Sequence, residues 1–125
     1  MPAVWQRFWK MPEKPLTSLI LPDRYLEIVR NLLNSHVPGR EVWAYGSRVN
    51  GGGYEASDLD LVLLPDTNDD PDKSPWESGN QYAALKEAFQ ESILPLFIDV
   101  MNWEWIPESF HEQILNGGYV ILQRL

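Results

Sequence analysis

Apolar positions along this chain recur at two spacings, and the switches between them mark out its elements. From Pro22-Asp23 onward, Tyr25, Ile28, Val29, Leu32 and Leu33 return at three- and four-residue steps, which predicts an amphipathic helix with Asp23 as its N-cap. Pro38-Gly39 ends it, and His36 falls in the last turn, where a cation is mildly favoured. Glu41-Val42-Trp43-Ala44-Tyr45 is a short β-prone run that stops at Gly46. Leu59 and Leu61 alternate with polar residues and run into Val62-Leu63-Leu64, as a buried central strand would. Tyr82, Leu85 and Phe89 form the stripe of a second helix, with Ser78 or Asn80 as its cap. After Pro95, the run Leu96-Phe97-Ile98-Asp99-Val100-Met101-Asn102 predicts a third strand interrupted by one aspartate. Pro107 opens a third helix with Phe110, Ile114 and Leu115 inward and His111 outward. Asn116-Gly117-Gly118 stops it, and Tyr119-Val120-Ile121-Leu122 is the last strand.

The order is therefore α, β, a glycine-rich turn into a short helix, β, α, β, α, β. It predicts an α/β (α+β) domain, a mixed sheet of about four strands with helices packed mainly on one face. Residues 22–125 make up that domain. Residues 1–21 read as an N-terminal arm, rich in proline (Pro2, Pro12, Pro15) and in aromatics (Trp5, Phe8, Trp9). Such an arm either packs on its own domain or, with Arg7, anchors a partner.

The chemistry concentrates between the first two strands. Gly46 stands where the backbone leaves the sheet and has to let a ligand approach closely. Ser47 adds a hydroxyl and an N–H, and Arg48 a fork of donors, all suited to phosphate oxygens. Asp58 and Asp60 are two apart and project from one strand face, while Leu59 and Leu61 point to the core. At the rise of a strand they are roughly 6.6 Å apart, and at an effective dielectric near 20 two such charges repel by about 2.5 kcal/mol. A cation belongs between them. Oxygen-only ligands facing a phosphate cradle suit magnesium that shares a nucleotide's oxygens. A half-exposed strand with a polar wet face would also carry polar residues here, but would not predict the glycine-serine turn upstream.

Gly46-Ser47, ten residues from Arg48 to Ser57, then Asp58-Leu59-Asp60 resembles the signature of the DNA polymerase beta-type nucleotidyltransferase superfamily. The short length is similar to that of its minimal nucleotidyltransferases, often paired with a HEPN-domain protein. That resemblance spans residues 40–103 by motif and the remainder by element order. It implies a nucleotidyltransferase fold and a third carboxylate, which Asp99 provides. It implies two Mg2+ ions on Asp58, Asp60 and Asp99, with ATP as co-substrate. Gly46, Ser47 and Arg48 would bind its phosphates. The expected reaction is transfer of AMP to a hydroxyl of a partner protein, as an antitoxin acting on a HEPN toxin in a toxin–antitoxin system. One departure is Asn50, where relatives often carry a second arginine, which bears on grip of the triphosphate. Transfer to a small molecule such as an antibiotic is an alternative, although such enzymes usually add a helical domain. A non-catalytic neutralising subunit is the other.

Composition narrows these readings. At 125 residues with 44% hydrophobic content, one domain and one core are expected. A domain this small leaves a wall of the site open, so a homo- or hetero-oligomeric partner is expected to close it. A net charge of -8, from 18 acidic and 10 basic residues, opposes nucleic acid as a partner. Cysteine is absent, which removes disulfides and thiolate chemistry. No apolar run spans a bilayer and the N-terminus lacks the build of a signal peptide, so no membrane role and a cytoplasmic location are expected. The acidic stretch from Pro65 to Pro75 nearly fits a calcium loop, but Pro71 falls where glycine is demanded, which favours a solvated loop at the edge of the site.

Overall fold

The computed structural model describes residues 12–51, 57–65 and 75–124, without the side chains of 75–79. The expectations placed on Trp5, Arg7, Phe8 and Trp9 and on the acidic loop at 66–74 fall outside the described residues. In chain order the elements are α1 (Asp23–His36), β1 (Val42–Tyr45), β2 (Leu59–Leu63), α2 (Pro75–Glu91), β3 (Ile98–Asn102), α3 (Glu108–Gly117) and β4 (Val120–Gln123). Single 3-10 turns lie at Leu16–Ser18 and Trp103–Trp105.

Among the described residues the strands form one mixed sheet, ordered β3-β2-β1-β4. β1 runs antiparallel to both β2 and β4, and β2 is parallel to β3. A parallel pair needs a long crossover, and α2 is that crossover. Alternation along the strands then divides the core. Val42, Ala44, Leu59, Leu61, Leu63, Val100 and Val120 face α1 and α2, where Val29, Leu33, Leu85 and Phe89 meet them. Trp43, Tyr45 and Val62 lie in a second cluster with Ile106 of the preceding turn and Ile114 of α3. Two helices thus cover one face and α3 the other.

A side chain reaches each outer strand of the sheet. The Tyr82 hydroxyl donates to the Val100 carbonyl of β3 (2.6 Å), and Arg30 Nε donates to the Leu122 carbonyl of β4 (3.2 Å). Near the start of β4, Glu13 bridges to Tyr119 while Lys14 N–H bonds the Tyr119 carbonyl at 2.7 Å. The last arm residues therefore lie along the sheet, and Leu19 enters the main core.

The helix termini differ in detail from the sequence-based expectation. The N-cap position of α1 is Pro22 and Asp23 is already helical, so its carboxylate complements the helix dipole from the first turn instead of capping. α2 begins at Pro75, which places Ser78 and Asn80 inside the helix. Proline is favoured at a first helical position because its missing N–H would be unpaired there anyway. In α3, Leu115 is 39% exposed, and Phe110 and Ile114 alone turn inward. His111 is not a free surface residue. Its ring stacks on Trp103 at 3.7 Å and 4°, and its Nε2 lies 2.8 Å from the Trp103 carbonyl, fixing the 3-10 turn against α3.

Candidate active site

Three polar side chains form a row across the middle of the sheet. Tyr45 is the register partner of Asp60, and Asp60 is the register partner of Asp99. Strand neighbours lie about 4.8 Å apart, and register partners share a face. Asp99 is therefore on the same side as Asp60, as the sequence reading required. Asp58 stands one residue before β2 and is exposed, so it is not a strand residue. Its charge still acts on Asp60.

The row sits at the end of β1 where the chain turns. Gly46 has φ +82, a left-handed conformation that favours glycine, and a Cβ built there would overlap Asp60 Oδ2. The group that lies against Gly46 is thus the chain's own carboxylate and not the ligand the sequence suggested. After Gly46, the N–H groups of Val49 and Asn50 both bond the Gly46 carbonyl, at 3.0 and 3.1 Å, which winds Ser47–Gly51 into a single tight turn. Ser47 is half-buried beside it.

Arg48 departs from its expected role. It is 3% exposed, with Nε donating to the Ser57 carbonyl (2.8 Å) and a terminal nitrogen to the Ile20 carbonyl (2.6 Å). The Ile20 N–H returns a bond to the Arg48 carbonyl at 2.8 Å. Arg48 therefore ties the residue before Asp58 to the N-terminal segment. The sequence suited it to phosphate because a guanidinium forks equally well onto backbone carbonyls, and only burial separates the two uses.

The electrostatics mark the row as a strained cluster of negative charge. Burial, then the charges of Asp99 and Asp58, push the Asp60 carboxyl up to about 6. Burial, and then Asp60 and Asp99, also hold the Tyr45 hydroxyl well above the usual phenol range. A divalent cation bound by oxygen would relieve the repulsion, and Asp60 and Asp99 are hard donors held on adjacent strands. That donor chemistry fits magnesium. Among the described residues, no three His, Cys, Asp or Glu side chains stand together so as to hold a metal ion.

A cleft of about 310 Å³ opens beside Tyr45 and Asp60, and Asp99 does not line it. Tyr45, Gly46 and Asp60 line one side of it and Phe110, Gln113 and Ile114 of α3 the other. Tyr45 and Phe110 meet edge to face at 5.9 Å and 85°, which fixes both rings. The sequence reading missed Tyr45 and Gln113 as site residues. The strand period could have found Tyr45, because it precedes Gly46 and must point to the face opposite Ala44. Gln113 carried no signal.

Residues 27–124 match the family described as "Polymerase beta, Nucleotidyltransferase". The chain is 39% identical over 109 residues to a Haemophilus influenzae protein named "Probable protein adenylyltransferase MntA", covering 85% of each chain. A solved structure described as "Crystal structure of putative nucleotidyltransferase" superposes with a TM-score of 0.49 at 18% identity, covering 79% of this chain and 98% of that one. The chain belongs to the polymerase beta-type nucleotidyltransferase family, among its minimal members. It is a nucleotidyltransferase by that membership. Among the described residues no helix is long and apolar enough to cross a membrane.

Proposed function

We propose that this enzyme moves AMP from ATP onto a hydroxyl of a partner protein, and that the partner is a HEPN-type toxin which the modification silences. The chemistry rests on the paired register of Asp60 and Asp99 beside Gly46, at the family's signature spacing. The choice of ATP and of a protein acceptor rests on the relative named as a protein adenylyltransferase. In the reaction an acceptor oxygen bonds the α-phosphorus while the bond to the bridging oxygen of pyrophosphate breaks. The hydroxyl proton passes to water and pyrophosphate leaves.

Asp58, Asp60 and Asp99 would hold magnesium, which supplies Lewis-acid charge at the phosphates and acidifies the acceptor hydroxyl. Gly46 lets the Asp60 carboxylate lie against the turn, and Ser47 would offer its hydroxyl and N–H to the β- and γ-phosphates. Arg48 holds that turn in place. A cytoplasmic site of action, where ATP and magnesium abound, completes the reading.

The test is intact-mass measurement of a HEPN-type partner after co-expression with this chain. A nucleotide adduct that disappears with the Asp58→Asn, Asp60→Asn double variant supports transfer. Full neutralisation of the partner by that variant, with no adduct in either case, would leave a binding subunit and sink the catalytic reading.

A further inference from the structure

The cleft over Asp60 is uneven in chemistry, and that unevenness says which part of a substrate it takes. Its inner end is the reacting centre, Gly46 and Asp60. Its other wall is α3, which contributes Phe110, Gln113 and Ile114, the last almost wholly buried. Asn50 faces this wall from the turn. Its amide nitrogen comes within 3.5 Å of the place a Cβ on Gly117 would occupy, which is ordinary contact distance. Among the described lining residues Asp60 is the one charged group, and none is basic.

Phosphate does not belong against such a wall. Its charge would gain no counterion from Phe110, Ile114 or two amides. With magnesium at Asp60 as the counterion, a triphosphate along the turn at Ser47 would leave the uncharged part of the nucleotide toward α3. A volume of about 310 Å³ is at the small end of ligand sites, roughly 300–1,000 Å³, and suits a nucleoside better than a larger acceptor. A planar base needs an aromatic or aliphatic wall for its faces and paired donors and acceptors for its edge, and one amide supplies both kinds at once. An acceptor hydroxyl, by contrast, has to reach the Asp60 end and would leave Gln113 and Asn50 without work.

Resting on the transferase reading for its orientation, we propose that the α3 wall is the nucleobase seat, with Phe110 against the base and Gln113 reading its edge. Gln113 is then a specificity-determining residue, and Phe110 an affinity residue held in place by Tyr45. Gln113 is exposed, so its replacement leaves the fold intact.

Equilibrium binding tests this without requiring transfer. Magnesium complexes of ATP, GTP, CTP and UTP, and of inorganic tripolyphosphate, would be titrated into the full chain, into Gln113→Leu and into Phe110→Leu. The wild type is expected to prefer one base by about tenfold or more, the scale of a two-point amide contact. Gln113→Leu should bring the four nucleotides within about threefold of one another and leave tripolyphosphate binding unchanged. Phe110→Leu should weaken all four and again spare tripolyphosphate.

Unchanged base ratios in Gln113→Leu would overturn the seat, as would equal losses for nucleotides and tripolyphosphate. So would intact nucleotide binding with loss of transfer alone, because the wall would then hold the acceptor. If base ratios shift as expected while no chain transfers a nucleotide, the seat stands and the transferase reading falls. Transfer with unmoved ratios has the opposite meaning.

Discussion

The Asp60 carboxylate fills the space that a side chain on residue 46 would need, so the glycine of the signature is fixed by an aspartate of the same signature. Spacing in the motif thereby becomes a packing rule. The turn and the acid have to be built together.

That rule predicts the outcome of Gly46→Ala. The methyl would meet Asp60 Oδ2 and the residue would sit at φ +82, a conformation costly for alanine. We expect a loss of about 1–3 kcal/mol in unfolding free energy and loss of nucleotide transfer. Denaturant unfolding beside a transfer assay would check both. An active variant of wild-type stability would show that the turn relaxes freely.

The acid pair makes stability depend on pH in a definite direction. Asp60 has its folded value raised from 3.8 to about 6, so between those values the native state binds more protons than the unfolded chain. Its contribution is favourable at low pH and is lost as pH rises through about 6. In chelator, Asp60→Asn should therefore unfold at higher temperature than the wild type above about pH 6.5, with the difference closing toward pH 4. Partial exposure of the group limits the size of this effect. A wild type more stable than the variant across that range would contradict the repulsion described.

Magnesium should reverse the same penalty. A cation that binds the native state alone raises its stability by mass action. Thermal scans of the wild type at pH 7.5 should shift upward with magnesium, and scans of Asp60→Asn or Asp99→Asn should shift much less. Chelator should abolish transfer and added magnesium restore it. Equal shifts in all three chains would place the ion elsewhere.

Arg48 separates structural from substrate roles. Its guanidinium bonds the carbonyls of Ile20 and Ser57 from a buried position, so Arg48→Ala should cost about 2–4 kcal/mol. Arg48→Lys should recover little, because an ammonium lacks the planar fork that spans two acceptors. A variant of normal stability with a raised KM for ATP would restore the phosphate role.

The periodicity of apolar residues carried the order of helices and strands, while the family resemblance asked for Asp99 beside Asp60 and the strand period wrongly drew Asp58 into β2. Alternation places a strand residue on one side or the other, and a βαβ unit makes its strands neighbours. The fate of Arg48 was not legible, since a guanidinium beside a phosphate-type turn serves two purposes and only the fold shows which carbonyls lie within reach. His111 misled for a related reason: helix position alone exposed it, and the Trp103 ring that covers it arrives from a separate 3-10 turn. Leu115 failed in the opposite sense. The α3 face that packs is narrow, and Phe110 with Ile114 fills it.

Tyr82 and Arg30 bond outward-facing carbonyls on the two outermost strands, while Glu13 bridges to Tyr119 just before β4. Each outer margin therefore has one of its backbone carbonyls already engaged, which takes a rung from any polypeptide that would extend the sheet there. The same contacts weigh against misassembly by margin-to-margin stacking.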